Sequence, residues 1–229
     1  MTIKTALILC AGYGNRLKPL TLSKPKPLIE INNSILLNQA IELVLSLGIE
    51  KLKINTFYLS DQIINFLKFH KFKNNIEIIT DGKEILGTGG GIKNMIRYVN
   101  DNDFLVMNPD TLWFENYKCT ITKMINYYEK KNLDNLLLVV NKKYSFDKRL
   151  SGDFQFKEMK LYRDSKRDYI YTGVQILNKN LFKEIKEKKF SVNVIWDNQI
   201  KKKNLNGFES HHLFEHLTDL EIYNKLIKK

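Results

Sequence analysis

The residues best suited to chemistry gather near the N-terminus, in the run LILCAGYGNRLKPLTLSKPKPLIEI. Gly12 and Gly14 permit turn angles and backbone approaches that are costly for larger residues. Their exposed N–H groups could form an anion-binding nest. Arg16 then offers directed, charge-assisted donors, and Lys26 a concentrated positive charge. Pro19, Pro25 and Pro27 are three of the four prolines in the chain. By fixing φ they let the loop hold the Lys26 cation without a long ordering helix. The chemistry this predicts is phosphate binding; the plainer alternative is a rigid surface turn with an incidental lysine. Neither GxGxxG nor GxxxxGK[ST] is present, which argues against a Rossmann dehydrogenase or a P-loop kinase.

Two further clusters stand later in the chain. The segment LGTGGG, Leu86 to Gly91, could line a backbone-walled recess for a flat base or a sugar edge. It could equally be a flexible turn before a helix starting near Ile92. Asp110 follows the apolar run FLVM and the pair Asn108–Pro109. A carboxylate at a strand end is suited to hold Mg²⁺ against a triphosphate, although strand-end aspartates are also ordinary turn residues. His211, His212 and His216 lack a zinc-ligand grammar and a cysteine partner. Cys10 reads as a buried thiol beside the site, and with Cys119 it gives no disulfide framework.

These groups need strands and helices to carry them. Strands are expected at Thr5 to Cys10, Lys51 to Tyr58, Asn75 to Thr80, Phe104 to Met107 and Leu136 to Val140. Helices are expected from Leu36 to Leu47, from a cap at Asp61 to Phe69, from Ile92 to Tyr98 and from Ile121 to Lys130. That succession predicts βαβ units and a largely parallel sheet, with ligands beyond the carboxyl ends of its strands. Strands at Asp153 to Phe156 and Tyr169 to Leu177, with Lys157 to Leu161 as another candidate, suggest a mixed-sheet extension or a small acceptor-binding lobe. Leu181 to Lys188 and Leu220 to Ile227 are further helix candidates.

With 229 residues, 43% of them hydrophobic, the chain suits a single domain with a sizeable core. The formal charge of +12 favours anionic partners, but the lysines are scattered, so no primary nucleic-acid role is assigned. The N-terminal apolar run is too short for a secretory core or a membrane span, which places the protein in the cytoplasm.

The segment GYGNRLKPLTLSKPKPL, Gly12 to Leu28, matches the pattern GxGxRLxPLTxxxPKPL. LGTGGG, NPD at Asn108 to Asp110 and SGDF at Ser151 to Phe154 extend the match. On these residues the chain resembles the sugar-phosphate nucleotidyltransferase family, especially its short bacterial uridylyl- and guanylyltransferase members acting on N-acetylmuramate 1-phosphate and mannose 1-phosphate. The resemblance implies a Rossmann-like three-layer α/β fold with a mixed, mostly parallel central sheet. It implies a nucleotide-binding part over about residues 1–140 and an acceptor-binding, sheet-completing part over 141–229.

By the same resemblance, the backbone from Ala11 through Gly12 to Gly14 receives the nucleotide, and Gly87 and Gly89 contact base and ribose. Arg16 clamps the departing diphosphate, Lys26 stabilises the reacting phosphates, and Asp110 binds Mg²⁺. Tyr171, Thr172 and Gly173 form an acceptor-lining segment, and Asp153 approaches the sugar; ordinary strand and turn packing is the alternative for both. Related enzymes carry glycine before the aspartate, where this chain has Pro109. They also end the domain with WxDVGT or WxHVGT, for which FEHLTD, Phe214 to Asp219, is the best match. His216 then falls at the second metal position, where imidazole suits Mg²⁺ less well than carboxylate.

The implied reaction joins UTP, GTP or CTP to a phosphorylated acceptor, a sugar 1-phosphate, by in-line attack on the α-phosphorus, in nucleotide-sugar biosynthesis for the cell envelope. The expected assembly is a monomer or homodimer. Transfer to phosphocholine, or a catalytically weak nucleotide-binding protein, are the competing readings.

Overall fold

The computed structural model describes residues 3–164 and 166–229. The chain begins with β1 (Thr5–Leu9), α1 (Leu20–Ser23), a small hairpin of β2 (Glu30–Ile31) and β3 (Ser34–Ile35), and α2 (Leu36–Ser46). Next come β4 (Lys51–Thr56), α3 (Ser60–Lys68), β5 (Ile76–Thr80), α4 (Gly87–Met95), β6 (Asp103–Met107), α5 (Asn116–Lys131) and β7 (Asn135–Asn141). The second hairpin, β8 (Gln155–Lys157) and β9 (Lys160–Tyr162), precedes β10 (Tyr169–Asn178), α6 (Asn193–Lys201), β11 (Gly207–Ser210) and α7 (Leu220–Leu226).

Seven strands form one sheet in the order β11-β7-β10-β6-β1-β4-β5. β1 runs parallel to β4 and β6, β4 to β5, and β11 to β7, while β10 is antiparallel to β6 and β7. The expected mixed, mostly parallel sheet is therefore present. Alternation along its strands divides the core. Ala6, Ile8, Leu105 and Met107 pack with residues of α2, α3 and α5, whereas Leu7, Phe104 and Val106 pack with residues of α4 and α6. Both faces are covered, which is why ALIL and FLVM read as unbroken apolar runs. No helix among the described residues is long and apolar enough to cross a membrane.

The strand order also locates the site. From β1 the chain builds outward through β4 to β5, then crosses back and lays β6 on the other side of β1. At such a switch point the loops leaving two neighbouring strands part and open a crevice at their carboxyl ends. Here those loops are 10–14 and 108–111.

Some boundaries differ from expectation. The helix expected from Ile92 starts at Gly87, so the glycines form its first turn rather than a preceding loop. Asp61 lies in the first turn of α3 and does not cap it; the cap position is Leu59, in a left-handed conformation. Leu181 to Lys188 keeps only the end of a short 3-10 turn, Lys179–Phe182. That stretch instead covers α4, where Lys93 Nζ donates to the carbonyls of Ile185 and Glu187. Sequence reading missed α6 and β11 altogether.

Candidate functional site

A cleft of about 210 Å³ opens at the switch point. Its walls include Ala11, Gly12 and Gly14 from the loop after β1, Lys26, Asn108 to Asp110 from the loop after β6, and Gly87 with Thr88 at the start of α4. Gly14 has φ of +64°, and a Cβ there would lie 2.9 Å from Thr21 Cγ2, so the turn requires glycine. Thr21 Oγ1 donates to the Gly14 carbonyl at 2.9 Å and ties the turn to α1. At Gly12 a Cβ would meet nothing within 4 Å among the described residues. The protein itself does not demand glycine at that position, although it faces the cleft.

The two other expected glycines part company. Gly87, with φ of +73°, lines the cleft. Gly89 is buried: its N–H donates to the Phe190 carbonyl at 3.0 Å, and a Cβ would overlap the Phe190 ring. Gly89 thus serves the packing of segment 188–191 against α4.

Below the cleft, Asn55 Oδ1 accepts the Cys10 N–H at 2.9 Å, while its Nδ2 donates to both Asp81 oxygens at 3.2 and 3.1 Å. The Cys10 thiol is buried, and burial and the Asp110 charge push its pKa upward, so it stays protonated.

Asp110 is the centre of charge. Lys26 Nζ donates to its Oδ2 at 2.6 Å, whereas Oδ1 is buried and accepts no hydrogen bond among the described residues. Burial pushes the carboxyl up, but Lys26 and then His216 outweigh it and hold its pKa down at about 2. His216 Nδ1 stands 3.6 Å from Oδ1. Burial lowers the imidazole to about 4; Asp110 opposes this, and Lys26 and Arg16 add to it. His216 is therefore neutral at neutral pH. Arg16 is exposed, makes no ion pair with a described residue, and its charge reaches His216.

Backbone pairing explains why residues so distant in sequence meet. Thr111 and His216 form an antiparallel bridge. The Leu217 N–H donates to the Asp110 carbonyl and the Leu112 N–H to the Glu215 carbonyl, each at 2.8 Å. The neighbouring acids are engaged elsewhere: Glu215 pairs with Lys229, and Asp219 caps α7 and accepts from Arg149 Nη2 at 2.8 Å. His212 bonds Thr120 and Asn116, and the exposed His211 side chain lies near Glu209.

On the β10 side, Asp153 Oδ2 accepts the Tyr171 N–H at 2.9 Å. Burial raises the Asp153 carboxyl, opposed by that N–H and by Arg163 and Arg167. Thr172 points away from the cleft: it is buried and its hydroxyl donates to the Leu138 carbonyl at 3.0 Å. The Gly173 carbonyl accepts the Asn108 N–H at 2.8 Å and so anchors the loop that carries Asp110.

The family model described as nucleotidyl transferase matches residues 5–147. The chain belongs to this family. Among curated relatives, the nucleotidyltransferase is 25% identical to N-acetylmuramate alpha-1-phosphate uridylyltransferase of Caulobacter vibrioides over 84% of the chain and 83% of that protein. It is 31% identical to the bifunctional protein GlmU of Methanocaldococcus jannaschii over 81% of the chain, but only 43% of that protein. A mannose-1-phosphate guanyltransferase of Aspergillus oryzae is 32% identical over 60% of the chain and 37% of its own length. The chain thus spans less than half of the latter two. The fold is shared with HddC from Yersinia pseudotuberculosis complexed with GMP-PN, at a TM-score of 0.77 and 24% identity over 99% of both chains. A UDP-glucose pyrophosphorylase complexed with UDP-glucose superposes with a TM-score of 0.80 at 18% identity, over 99% of this chain and 97% of its own.

Within the nucleotidyltransferase, the donor set suits a hard divalent cation bound largely through its substrate. The orphaned Asp110 Oδ1 faces the neutral His216, and no three His, Cys, Asp or Glu side chains among the described residues form a closed cage. Mg²⁺ commonly takes one or two carboxylates and completes its shell with water and phosphate oxygens.

Tyr171 belongs to the segment Tyr171 to Gly173 that the resemblance assigns to the acceptor. Its hydroxyl is buried without a hydrogen-bond partner among the described residues, and its pKa lies well above normal through burial and the charges of Asp110 and Asp153. Its ring meets that of Trp196 edge-on, and the pairing of β10 with β7 shifts register between Tyr171 and Gln175.

Proposed function

We propose that this nucleotidyltransferase is a cytoplasmic enzyme that joins an NTP to a sugar 1-phosphate, giving an NDP-sugar and pyrophosphate. An acceptor phosphate oxygen attacks the α-phosphorus, and the bond from that phosphorus to the bridging oxygen breaks. Pyrophosphate departs with the electron pair. The acceptor phosphate is already ionised near neutral pH, so no side chain need remove a proton.

The observation that carries this reading is the Lys26–Asp110 pair in the cleft at the β1/β6 switch point, beside the Gly12–Gly14 turn. The turn's N–H groups and Lys26 would cradle the phosphates, and Arg16 would hold the departing diphosphate. Gly87 and Thr88 would border the base and ribose. Asp110 would hold Mg²⁺, which offsets negative charge on the phosphates when bound. Asp153 and Tyr171 would face the acceptor, so residues 1–140 handle the nucleotide and 141–229 contribute the acceptor side. The named activities of the Caulobacter and Aspergillus relatives support a sugar 1-phosphate.

The test is a matrix of purified protein, Mg²⁺, UTP, GTP, CTP and ATP against N-acetylmuramate 1-phosphate, mannose 1-phosphate, glucose 1-phosphate and phosphocholine. The expected result is pyrophosphate release that needs both an NTP and a sugar 1-phosphate. Release with phosphocholine alone would reassign the acceptor, and nucleotide binding without turnover would make the protein a regulatory binder.

A further inference from the structure

Asp81 is a buried acid that the proposed reaction does not use, and it is not among the residues lining the cleft. It stands just past the end of β5, where its own N–H donates to the Thr56 carbonyl at 3.0 Å. Both of its carboxyl oxygens accept from Asn55 Nδ2, and Asn55 Oδ1 in turn accepts the Cys10 N–H. Cys10 comes directly after the last paired residue of β1, because the pair Leu9 and Asn55 closes the β1–β4 register. A side chain therefore takes the next main-chain donor. The chain can leave the sheet at Ala11 without burying an unpaired N–H behind it.

The Asn55 amide can stand only one way round. A backbone N–H offers a proton and no lone pair, so the amide oxygen must face Cys10 and the NH₂ must face Asp81. Burial raises the Asp81 carboxyl, opposed by the Asn55 amide, the Asn94 amide and the Leu86 N–H. Leu86 immediately precedes Gly87, which opens α4 and lines the cleft. Further along α4, Gly91 leaves room for the pair: a Cβ there would lie 2.8 Å from Asn55 Nδ2 and 3.7 Å from Asp81 Oδ2. The last glycine of LGTGGG thus answers to two buried side chains.

We propose that Asp81 is a positioning residue, which through Asn55 holds the Ala11–Gly14 turn in register with the start of α4. These two walls of the cleft come from separate parts of the chain, and the Asp81–Asn55 pair gives them one shared anchor. Without Asp81 the Asn55 amide is free to rotate and release the Cys10 N–H. A displacement of about 1 Å in groups that must align on reacting phosphates can cost roughly 10²-fold in rate.

This inference rests on the turn receiving the nucleotide phosphates, so its test reads the turn both without and with turnover. In substrate-free protein, hydrogen exchange of the Cys10 amide is followed by NMR. Asp81→Ala should speed it roughly tenfold, the worth of one lost hydrogen bond, while Asp81→Asn, whose amide oxygen can still accept from Asn55, stays close to native. Asn55→Asp sets two carboxyls face to face and should also speed exchange. Combining it with Asp81→Asn restores an acceptor for Cys10 and a donor between the pair, so the double variant should slow exchange again. With the NTP and sugar 1-phosphate that release pyrophosphate, Asp81→Ala should raise KM for NTP about tenfold and leave KM for the sugar 1-phosphate within about twofold. A role in folding alone would lower kcat through lost active protein and leave both KM values unmoved. Native Cys10 exchange or a native KM for NTP in folded Asp81→Ala overturns the proposal. So does a double variant no better than Asn55→Asp, and that comparison decides if Asp81→Ala does not fold. Native protein that releases no pyrophosphate with any substrate pair would sink the nucleotidyl-transfer reading instead, with the exchange data still deciding what Asp81 holds.

Discussion

Lys26 and Asp110, 84 residues apart in sequence, meet at 2.6 Å across the crevice between the loops that follow β1 and β6. The contact closes one oxygen of the carboxylate and leaves the other without a hydrogen bond among the described residues. In the proposed reaction an arriving triphosphate would compete with Asp110 for the same ammonium, which would free Asp110 to share a cation with the phosphates. Charge on both partners is matched in the substrate-free protein and would be redistributed when substrate binds.

Lys26→Met should separate the two roles of this pair. If Lys26 contacts the reacting phosphates as proposed, removing that preorganised cation should lower kcat by about 10²–10³-fold. Asp110 should also rise from its depressed value of about 2 toward the ordinary carboxylate range, because its largest lowering influence is gone. Steady-state kinetics and an NMR titration of the Asp110 carboxyl check the two outcomes. A carboxyl that still titrates near its native value would contradict the electrostatic account.

His216 gives the fold a specific acid sensitivity. Its folded pKa of about 4 lies below the roughly 6.5 of an unfolded histidine. Between those values the unfolded chain takes up a proton that the folded chain refuses, so stability is full above about 6.5 and falls as the pH drops toward about 4. At about pH 5 the loss from this one group is on the order of 2 kcal/mol. Urea unfolding of native protein and His216→Gln, at about pH 7.5 and about pH 5, measures the difference. The variant should lose less stability on acidification; equal losses would mean that His216 is not buried as a neutral ring.

The sequence made the cleft legible where backbone chemistry is local. The Gly14 turn, the proline-bracketed Lys26 and the strand-end Asp110 each depend on residues within a few positions, and all three line the cleft. Contacts set by distant segments were hidden. Gly89 looked like a ligand contact because nothing nearby in sequence reveals Phe190 packed on it. Within the segment Tyr171 to Gly173, residue types do not reveal that the Thr172 hydroxyl is spent on the Leu138 carbonyl. The helix at Asn193–Lys201 was missed because NVIWDNQIK mixes β-branched and amide residues with a narrow apolar face, whereas Leu181 to Lys188 looked more helical and is held as a loop by Lys93.

Gly12 and Gly89 should respond oppositely to the same substitution. A Cβ at Gly12 meets open space, so Gly12→Ala should change stability by no more than about 0.5 kcal/mol. If nucleotide occupies that space, its KM for NTP should still rise, by about tenfold for a lost 1.4 kcal/mol. Gly89→Ala forces the Phe190 ring aside and should cost about 1–3 kcal/mol, as overpacking does. Thermal melts and KM values for the pair check this, and a Gly12→Ala variant with native KM would remove that residue from the nucleotide site.

Tyr171 offers the sharpest contrast between stability and function. Its hydroxyl is buried without a hydrogen-bond partner among the described residues, within the influence of Asp110 and Asp153. An unsatisfied buried hydroxyl is costly, by about 1–3 kcal/mol, so Tyr171→Phe should leave the substrate-free protein as stable as before or more so. If the hydroxyl instead completes a hydrogen bond to the acceptor, the same variant should raise KM for sugar 1-phosphate by roughly tenfold, the worth of about 1–1.5 kcal/mol. KM for NTP should not move. Denaturant titration without substrates and kinetics with each substrate varied separately give the answer. A variant that is destabilised yet keeps its acceptor KM would make Tyr171 a packing residue against Trp196, whose ring it meets edge-on with centroids 4.9 Å apart.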